Sequence, residues 1–354
     1  MINLFNPYIP QEAIEEVGKV LSSKYIAQGS KVNEFEKEFD EKFKVKYAVS
    51  LNSGTSALET AYELVGIGKG DEVITTPLTC TATNIPLLRL GVKIVWADID
   101  PKTLCIDPID VRNKITNRTK AIVQVHLGGI NADLSSNSII PIISDACQAL
   151  GIFTGDYTCC SFQAIKHITT GDGGILIPRN KEEYHKAKLL RWFGIDRERP
   201  VENNWESYKT RMMSFDIDLL GYKRHMNDIE ATLGIEGLKK YDFVLEYRKK
   251  LFNLYKELLK GIDGIRVIDG DQNVYWLCTV IVERRDDFAK MLYENGIETN
   301  IVQIRNDIYK VFGSKRQDLP VMNELEFKYL SLPLHMKVME EDVRSICNLI
   351  RKGW

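Results

Sequence analysis

"YAVSLNSGTSALETAYELVGIGKGDEVITT", residues 47–76, changes its hydrophobic period twice within a short span. The head "YAVSL" reads as a strand and "NSGT" as a turn. "SALETAYELVGI" follows as a helix closed by Gly66 and Gly68, and "DEVITT" as a second strand. A strand, a helix and a strand of these lengths make one crossover unit, because parallel strands cannot be joined by a tight hairpin. The alternation continues through helix "ATNIPLLRLG", strand "KIVWADI", a helix near "IDVRNKI", strands "AIVQVHL" and "IPIISDA", and the pair "YTCCSF" and "GGILIP". The pattern predicts an α/β fold with a mostly parallel central sheet covered by helices on both faces. Upstream, "PQEAIEEVGKVLSSKYI", with Ile14, Val17, Val20 and Leu21 at helical spacing, and "VNEFEKEFDEKF" predict two amphipathic helices.

Past Asp242 the rhythm changes. A long helical run, "FVLEYRKKLFNLYKELLKG", leads into "IRVI", "YWLCTVIVE", "DFAKMLYENG" and "EEDVRSICNLIRKG", the mark of an α+β segment. The expected organisation is a large α/β domain over 1–241 and a small α+β domain over 242–354, bridged by the long helix.

Composition narrows the function. Across 354 residues, 47 Lys and Arg stand against 49 Asp and Glu, so no basic field exists to hold nucleic acid. No run of 18 apolar residues and no leader-like start occurs, which predicts a cytoplasmic protein with no membrane partner. Seven cysteines without a C-x-x-C pair, and five histidines with none at i, i+4 spacing, argue against disulfides and a metal site.

Three pieces of the first half carry chemistry. "LNSGTSALE" runs a strand through Ser53, Gly54 and Thr55 into a helix, leaving free N–H groups and the positive dipole end for a phosphate. The same residues also make an ordinary N-cap. No G-x-x-x-x-G-K-[ST] or G-x-G-x-x-G motif accompanies them. "PIISDACQALG" ends an apolar strand on Asp145, where parallel sheets place their ligands, with Gln148 three residues on. Asp145 is either a functional acid or the cap of a following helix, and Gln148 either lines the site or completes a capping box. "CCSFQAIKHITTGDGGILI", residues 159–177, sets Ser161 and Lys166 on a strand end and a turn made permissive by "TTGDGG". A phosphate cradle, a buried acid and a lysine on such a turn are what pyridoxal 5'-phosphate requires. The amine forms a Schiff base, and the carboxylate keeps the pyridine nitrogen protonated.

The ordered set "NSGTSALETA", "GDEVI", "DIDPKTLCIDP", "VQVHLGG", "SDACQALG" and "SFQAIKHITTGDGG" resembles the DegT/DnrJ/StrS family of PLP-dependent sugar aminotransferases. Weaker echoes, "GYKRHMNDIEATLGIEGLKK" and the "KGW" ending, extend the likeness to the C-terminus. The resemblance implies a PLP-dependent transferase of the aspartate aminotransferase type (fold type I), a homodimer with shared active sites. It also implies transfer of an amino group from L-glutamate to a nucleotide-linked keto-deoxy sugar, 4-keto in preference to 3-keto, for surface glycan or lipopolysaccharide synthesis or an antibiotic sugar. The same machinery acting on a small phosphorylated ketone would share every motif, and a non-catalytic relative is the other alternative.

By the same resemblance Lys166 carries the cofactor and moves the proton. Asp145 pairs with the ring nitrogen, Gln148 touches the ring's 3' oxygen, and Ser53, Gly54, Thr55 and Ser161 hold the phosphate. Cys80 stands where relatives place an aromatic residue on the ring. Lys223 in "GYKRHM" takes the position of an asparagine that reaches the neighbouring subunit's phosphate, and His225 that of an arginine. His167 is expected to pack rather than react. Candidate substrate contacts are Tyr25 in "SSKYIAQGS", His126, and Arg305 and Asn306 in "VQIRND". "RWFGIDRERP" and "NNWESY" are expected to serve core or interface rather than a lid, and the stretch between His126 and Asp145 is short.

Overall fold

A computed structural model describes residues 1–134, 139–197 and 217–354. Helices α1 (Gln11–Ser23) and α2 (Ser30–Phe43) precede a sheet of seven strands: β1 (Val49–Leu51), β2 (Glu72–Thr75), β3 (Lys93–Trp96), β4 (Thr119–Val125), β5 (Ile142–Asp145), β6 (Tyr157–Ser161) and β7 (Gly174–Ile177). Helices α3 (Gly54–Val65), α4 (Thr81–Arg89) and α5 (Pro108–Lys114) connect the early strands, and α6 (Lys181–Arg191) follows the last. The strands lie in the order β1-β7-β6-β5-β4-β2-β3. Pairing is parallel from β6 to β3, and β7 alone runs against both of its neighbours.

Alternate strand residues feed opposite layers, as a doubly covered sheet demands. Val73, Val123, Cys159 and Leu176 pack with Ala57, Leu58 and Ala61 of α3. On the other face Ile122 joins Ile74, while Cys160 and Ile175 join Phe35 and Phe39 of α2. The expected mostly parallel α/β architecture is present. Ser53 caps α3 by accepting the Ser56 N–H, and Gly66, with φ 72°, ends it.

The second half is built on α7 (Asp228–Leu258), a helix of 31 residues opened by a capping box of Asn227 and Glu230. Beyond it lie β8 (Ile265–Val267), β9 (Cys278–Val282) and β10 (Tyr329–Leu332), an antiparallel sheet in the order β10-β9-β8, with α8 (Arg285–Glu294), α9 (Pro320–Leu325) and α10 (Glu340–Ile350). The helix begins well before Phe243, so the expected division between residues 241 and 242 falls inside it. Its first half packs Ala231, Ile235, Leu238 and Tyr241 with α2, and its second half packs Leu251, Phe252 and Tyr255 with β9 and α10. A second difference lies at the N-terminus. Ile2 bridges Ile297, and the Leu4 N–H reaches Glu298 Oε2 at 2.9 Å, so the opening residues belong with the small domain.

Helix α1 follows its pattern only in part. Val20 is buried, but Ile14 and Leu21 are 59% and 52% exposed, and Ile9 and Ile26 nearby are exposed too. Among the described residues no helix is long and apolar enough to cross a membrane. All seven cysteines carry free thiols. The residues from 198 to 208 in the two aromatic-rich stretches, and four residues of the short segment after His126, lie outside the described residues.

Candidate active site

The carboxyl ends of β5 and β6 meet the N-terminal ends of α3 and α4. Asp145, the last residue of β5, is 4% exposed and accepts from Thr83 Oγ1 at 2.6 Å and from the Cys147 N–H at 3.1 Å. Thr83 in turn pairs with Thr79 at 2.8 Å. Turns rather than a helix follow β5, so Asp145 caps no helix and Gln148 completes no capping box. The carboxylate is instead aimed by a hydroxyl from α4 and by its own turn.

Gln148 is buried and its Oε1 accepts the Gly128 N–H at 2.8 Å. That bond fixes which end of the amide is committed, and leaves Nε2, with no partner among the described residues, to donate elsewhere.

Lys166 lies in the turn after β6, where its N–H donates to Gln163 O at 2.9 Å. Its amine points inward, 4.0 Å from the centre of the Trp276 ring. Burial lowers its pKa below the ordinary lysine value, and Cys147, Asp145 and Cys80 oppose that shift. The Lys166 turn follows β6, the strand paired with the one that ends on Asp145, so both residues lie at the same end of the sheet.

Ser53, Gly54 and Thr55 form the start of α3, whose first N–H groups have no intrahelical partner. Gly54 touches the end of β6. A Cβ there would lie 2.7 Å from Cys147 Sγ and 2.8 Å from Ser161 Cβ, so any larger residue would push the helix off the strand. Ser161 Oγ accepts the Gln163 N–H at 3.3 Å, and Thr55 is exposed. Cys80, the residue before α4, is exposed.

This set fits PLP. The cradle between α3 and β6 offers N–H and hydroxyl donors to a phosphate, Asp145 suits a protonated ring nitrogen, Gln148 Nε2 suits the 3' oxygen, and Lys166 supplies the amine. The decisive observation is the missing side chain at Gly54, which lets backbone donors and Ser161 share one small space.

Other expected residues stand apart. Lys223 and Tyr25 are exposed, the latter at 83%. Lys223 lies 6.0 Å from the Trp192 ring. His225 also packs edge-on to Trp192, and burial lowers its pKa to about 4. The buried cation of this segment is the preceding residue, Arg224, which pairs with Glu59 and Glu63 of α3.

Three expected substrate contacts are buried, with their polar groups bonded inside the protein. His126 is fully buried. Its Nδ1 accepts the Ala132 N–H at 2.9 Å, Nε2 lies 3.2 Å from Thr154 Oγ1, and burial lowers its pKa to about 3, so neither ring nitrogen faces a ligand. Arg305 is fully buried too, bidentate to Asp307 at 2.7 and 2.6 Å and bonded to Glu326 and Asn323, which leaves no guanidinium face for a diphosphate. Asn306 bonds Thr79 O, Ile304 O and Asn84, tying the small domain to the start of α4. His167 packs as expected, buried, with Nε2 at 2.5 Å from Val274 O.

Sequence reasoning missed Thr83, Cys147 and Trp276. Thr83 sits inside the helix "ATNIPLLRLG", three residues after Cys80. Trp276 comes from the small domain and has no local signal.

Comparison with known proteins agrees with this arrangement. Residues 7–351 match the model of the DegT/DnrJ/EryC1/StrS aminotransferase family. The chain is 32% identical to the spore coat polysaccharide biosynthesis protein SpsC of Bacillus subtilis, with 98% of this chain and 95% of that protein aligned. It is 28% identical to the dTDP-4-dehydro-2,3,6-trideoxy-D-glucose 4-aminotransferase of Saccharopolyspora spinosa, over 100% of this chain and 97% of that one. The crystal structure of the sugar aminotransferase CalS13 from Micromonospora echinospora superimposes with a TM-score of 0.91 at 30% identity, covering 100% of both chains. With its fold and its full-length match in agreement, the chain belongs to the DegT/DnrJ/EryC1/StrS family and is a PLP-dependent aminotransferase.

Proposed function

We propose that this protein moves an amino group from L-glutamate to the keto carbon of a nucleotide-linked keto-deoxy sugar, a 4-keto acceptor in preference to a 3-keto one. The observation that carries the reading is the convergence of Lys166, Asp145, Gln148 and the cradle between Gly54 and Ser161 at one end of the sheet. The acceptor class is supported by the relatives, one of which is named for 4-amination of a dTDP-linked 4-dehydro sugar. The name of the Bacillus relative supports a product bound for a surface polysaccharide.

When bound, PLP supplies an aldehyde that condenses with amines and a ring that withdraws electrons from the carbon bearing the nitrogen. Asp145, aimed by Thr83 and the Cys147 N–H, sets a fixed negative charge opposite the ring nitrogen. Gln148 Nε2 would donate to the 3' oxygen, the start of α3 with Ser53, Thr55 and Ser161 would take the phosphate, and Cys80 would serve the ring face. Lys166 Nζ, its proton affinity reduced by burial, takes the proton from the donor carbon and returns it on the other side of the transfer.

The functional unit in this reading is a homodimer with shared sites. Its support is the exposed apolar surface of Ile9, Ile14, Leu21 and Ile26, together with two exposed candidate ligands, Tyr25 and Lys223, outside the site of their own subunit. Lys223 brings an ammonium to the neighbouring phosphate, where relatives use an amide.

Borohydride treatment of the holoenzyme followed by peptide mapping tests the cofactor site, and the reduced cofactor is expected on Lys166. Incubation with L-glutamate and a panel of nucleotide-linked keto sugars and small keto phosphates, scored by product mass, tests the acceptor. Label on another residue refutes the site, and amination of keto phosphates alone refutes the sugar.

A further inference from the structure

The small domain reaches into the active site through one short segment, residues 274–277. Its backbone is laid on the "HLGG" turn: the Val274 N–H donates to Gly129 O at 2.8 Å and the Leu277 N–H to Gly128 O at 3.0 Å. Gly129 permits the approach, since with φ 97° and no Cβ it passes the Trp276 nitrogen where a Cβ would stand 2.9 Å away. From this anchor Trp276, 1% exposed, meets the catalytic turn twice. Its Nε1–H donates to Ile165 O at 3.0 Å, and its ring lies 4.0 Å from Lys166 Nζ. His167, on the other side of Lys166, bonds Val274 O, so the residues flanking the lysine are tied to the same segment.

The tryptophan is itself held. Arg248 of α7, 3% exposed, donates through Nη1 to Trp276 O at 3.1 Å and to Leu334 O at 2.9 Å. Phe5 stacks on the indole at 6.0 Å between ring centres.

We propose that Trp276 is a positioning residue for Lys166, its Nε1–H pinning the carbonyl before the lysine and its π face holding the ammonium whenever that amine is free of the cofactor. A lysine side chain has several rotatable bonds and no fixed fork, so an amine that must leave and rejoin its target needs a resting place. An indole face supplies one without a competing negative charge. The contact favours the charged amine and opposes burial. The other groups facing Lys166 are Asp145 at the end of β5, Cys147 in the next turn, Cys80 before α4 and His167 on its own turn, with Arg248 acting on His167 from α7. Substitution at 276 leaves all of them in place.

The inference rests on Lys166 being the reactive amine, and the test separates the two. Full-length protein freed of cofactor is labelled competitively with acetic anhydride across a range of pH, and the titration of Lys166 is read from its peptide by mass spectrometry. Trp276→Leu is expected to lower the Lys166 midpoint by about 0.5 to 1 pH unit, the size of a partly desolvated cation–π contact. Trp276→Phe keeps a π face and is expected to titrate within about 0.3 unit of the parent. Having lost the Nε1–H, it should show amide exchange of residues 163–168 faster by roughly threefold to tenfold. Parent-like titration in both variants, or an equal drop in both, overturns the proposal. If Trp276→Leu does not fold, Trp276→Met, whose flexible thioether chain adapts to the space without a π face, is read the same way. Borohydride labelling of each holoenzyme reports separately whether Lys166 is the reactive amine.

Discussion

Replacing Arg305 with alanine removes a guanidinium that is fully buried and makes two bonds to Asp307 and one each to Glu326, Asn323 and the Gln317 carbonyl. Glu326 keeps Arg316 as a partner. Asp307, also fully buried, keeps among the described residues only the Gln317 N–H at 2.7 Å. The change therefore strands one carboxylate away from water, a situation that costs about 3–5 kcal/mol. Urea unfolding followed by tryptophan fluorescence is expected to show a loss of that size, with the slope against denaturant unchanged. Removing the stranded charge as well, in Arg305→Ala/Asp307→Ala, is expected to recover about half of it, since most of the loss is the unpaired carboxylate rather than the missing bonds. In the folded fraction the KM for the sugar acceptor should stay within about twofold, because no guanidinium face points at the ligand. A variant of unchanged stability whose acceptor KM rises tenfold or more would refute the reasoning and return Arg305 to the substrate.

Three further outcomes follow from the same geometry. Gly54→Ala drives a methyl into Cys147 Sγ and Ser161 Cβ, and is expected to cost about 1–3 kcal/mol and to release PLP on gel filtration, read as loss of the cofactor's visible absorbance. Lys223→Ala should weaken PLP retention by about tenfold, the share of one charge-assisted contact, measured by equilibrium dialysis; unchanged retention would leave Lys223 a solvated lysine. His126 and His167 are both held by burial at pKa values of about 3, far below the unfolded value, so the folded protein refuses protons that the unfolded chain accepts. Their contribution is whole above about pH 6.5 and is lost as pH falls, by up to about 1.4 kcal/mol per pH unit for each. His126→Gln should flatten the acid limb of a stability profile by one histidine's share.

The parts of the site legible in the sequence are those that neighbours in the chain create together. Ser53 and Gly54 at a strand–turn–helix junction, Asp145 at the end of an apolar run, and Lys166 before "TTGDGG" each announce a local geometry, and the parallel sheet then brings their ends to one side. What stayed hidden depends on contacts distant in the chain. Trp276 reaches Lys166 from the small domain, and nothing in "VYWLC" separates it from an ordinary core tryptophan. Arg305 and Asn306 read as candidate substrate contacts, and only the fold shows Asp307, Glu326 and Asn84 closing around them. The long helix read as the bridge between the two halves holds a further contact pattern that the sequence does not display. A helix does not advertise that its two halves face different cores, and α7 carries both on one unbroken backbone.

The first residues of the chain complete the small domain: the backbone of Leu4 bonds a side chain 294 positions later, and the carbonyl of Asn3 accepts from His335. During synthesis at roughly 5–20 residues per second, Leu4 waits on the order of 15–60 s for that partner to be made. The large sheet can close in the meantime, but Phe5 has no Trp276 to stack on until more than three quarters of these residues have been made. A ribosome-bound nascent chain stopped before that point would carry a Lys166 turn without its bond to the indole, so the tether on that turn is added late, by residues far along the chain.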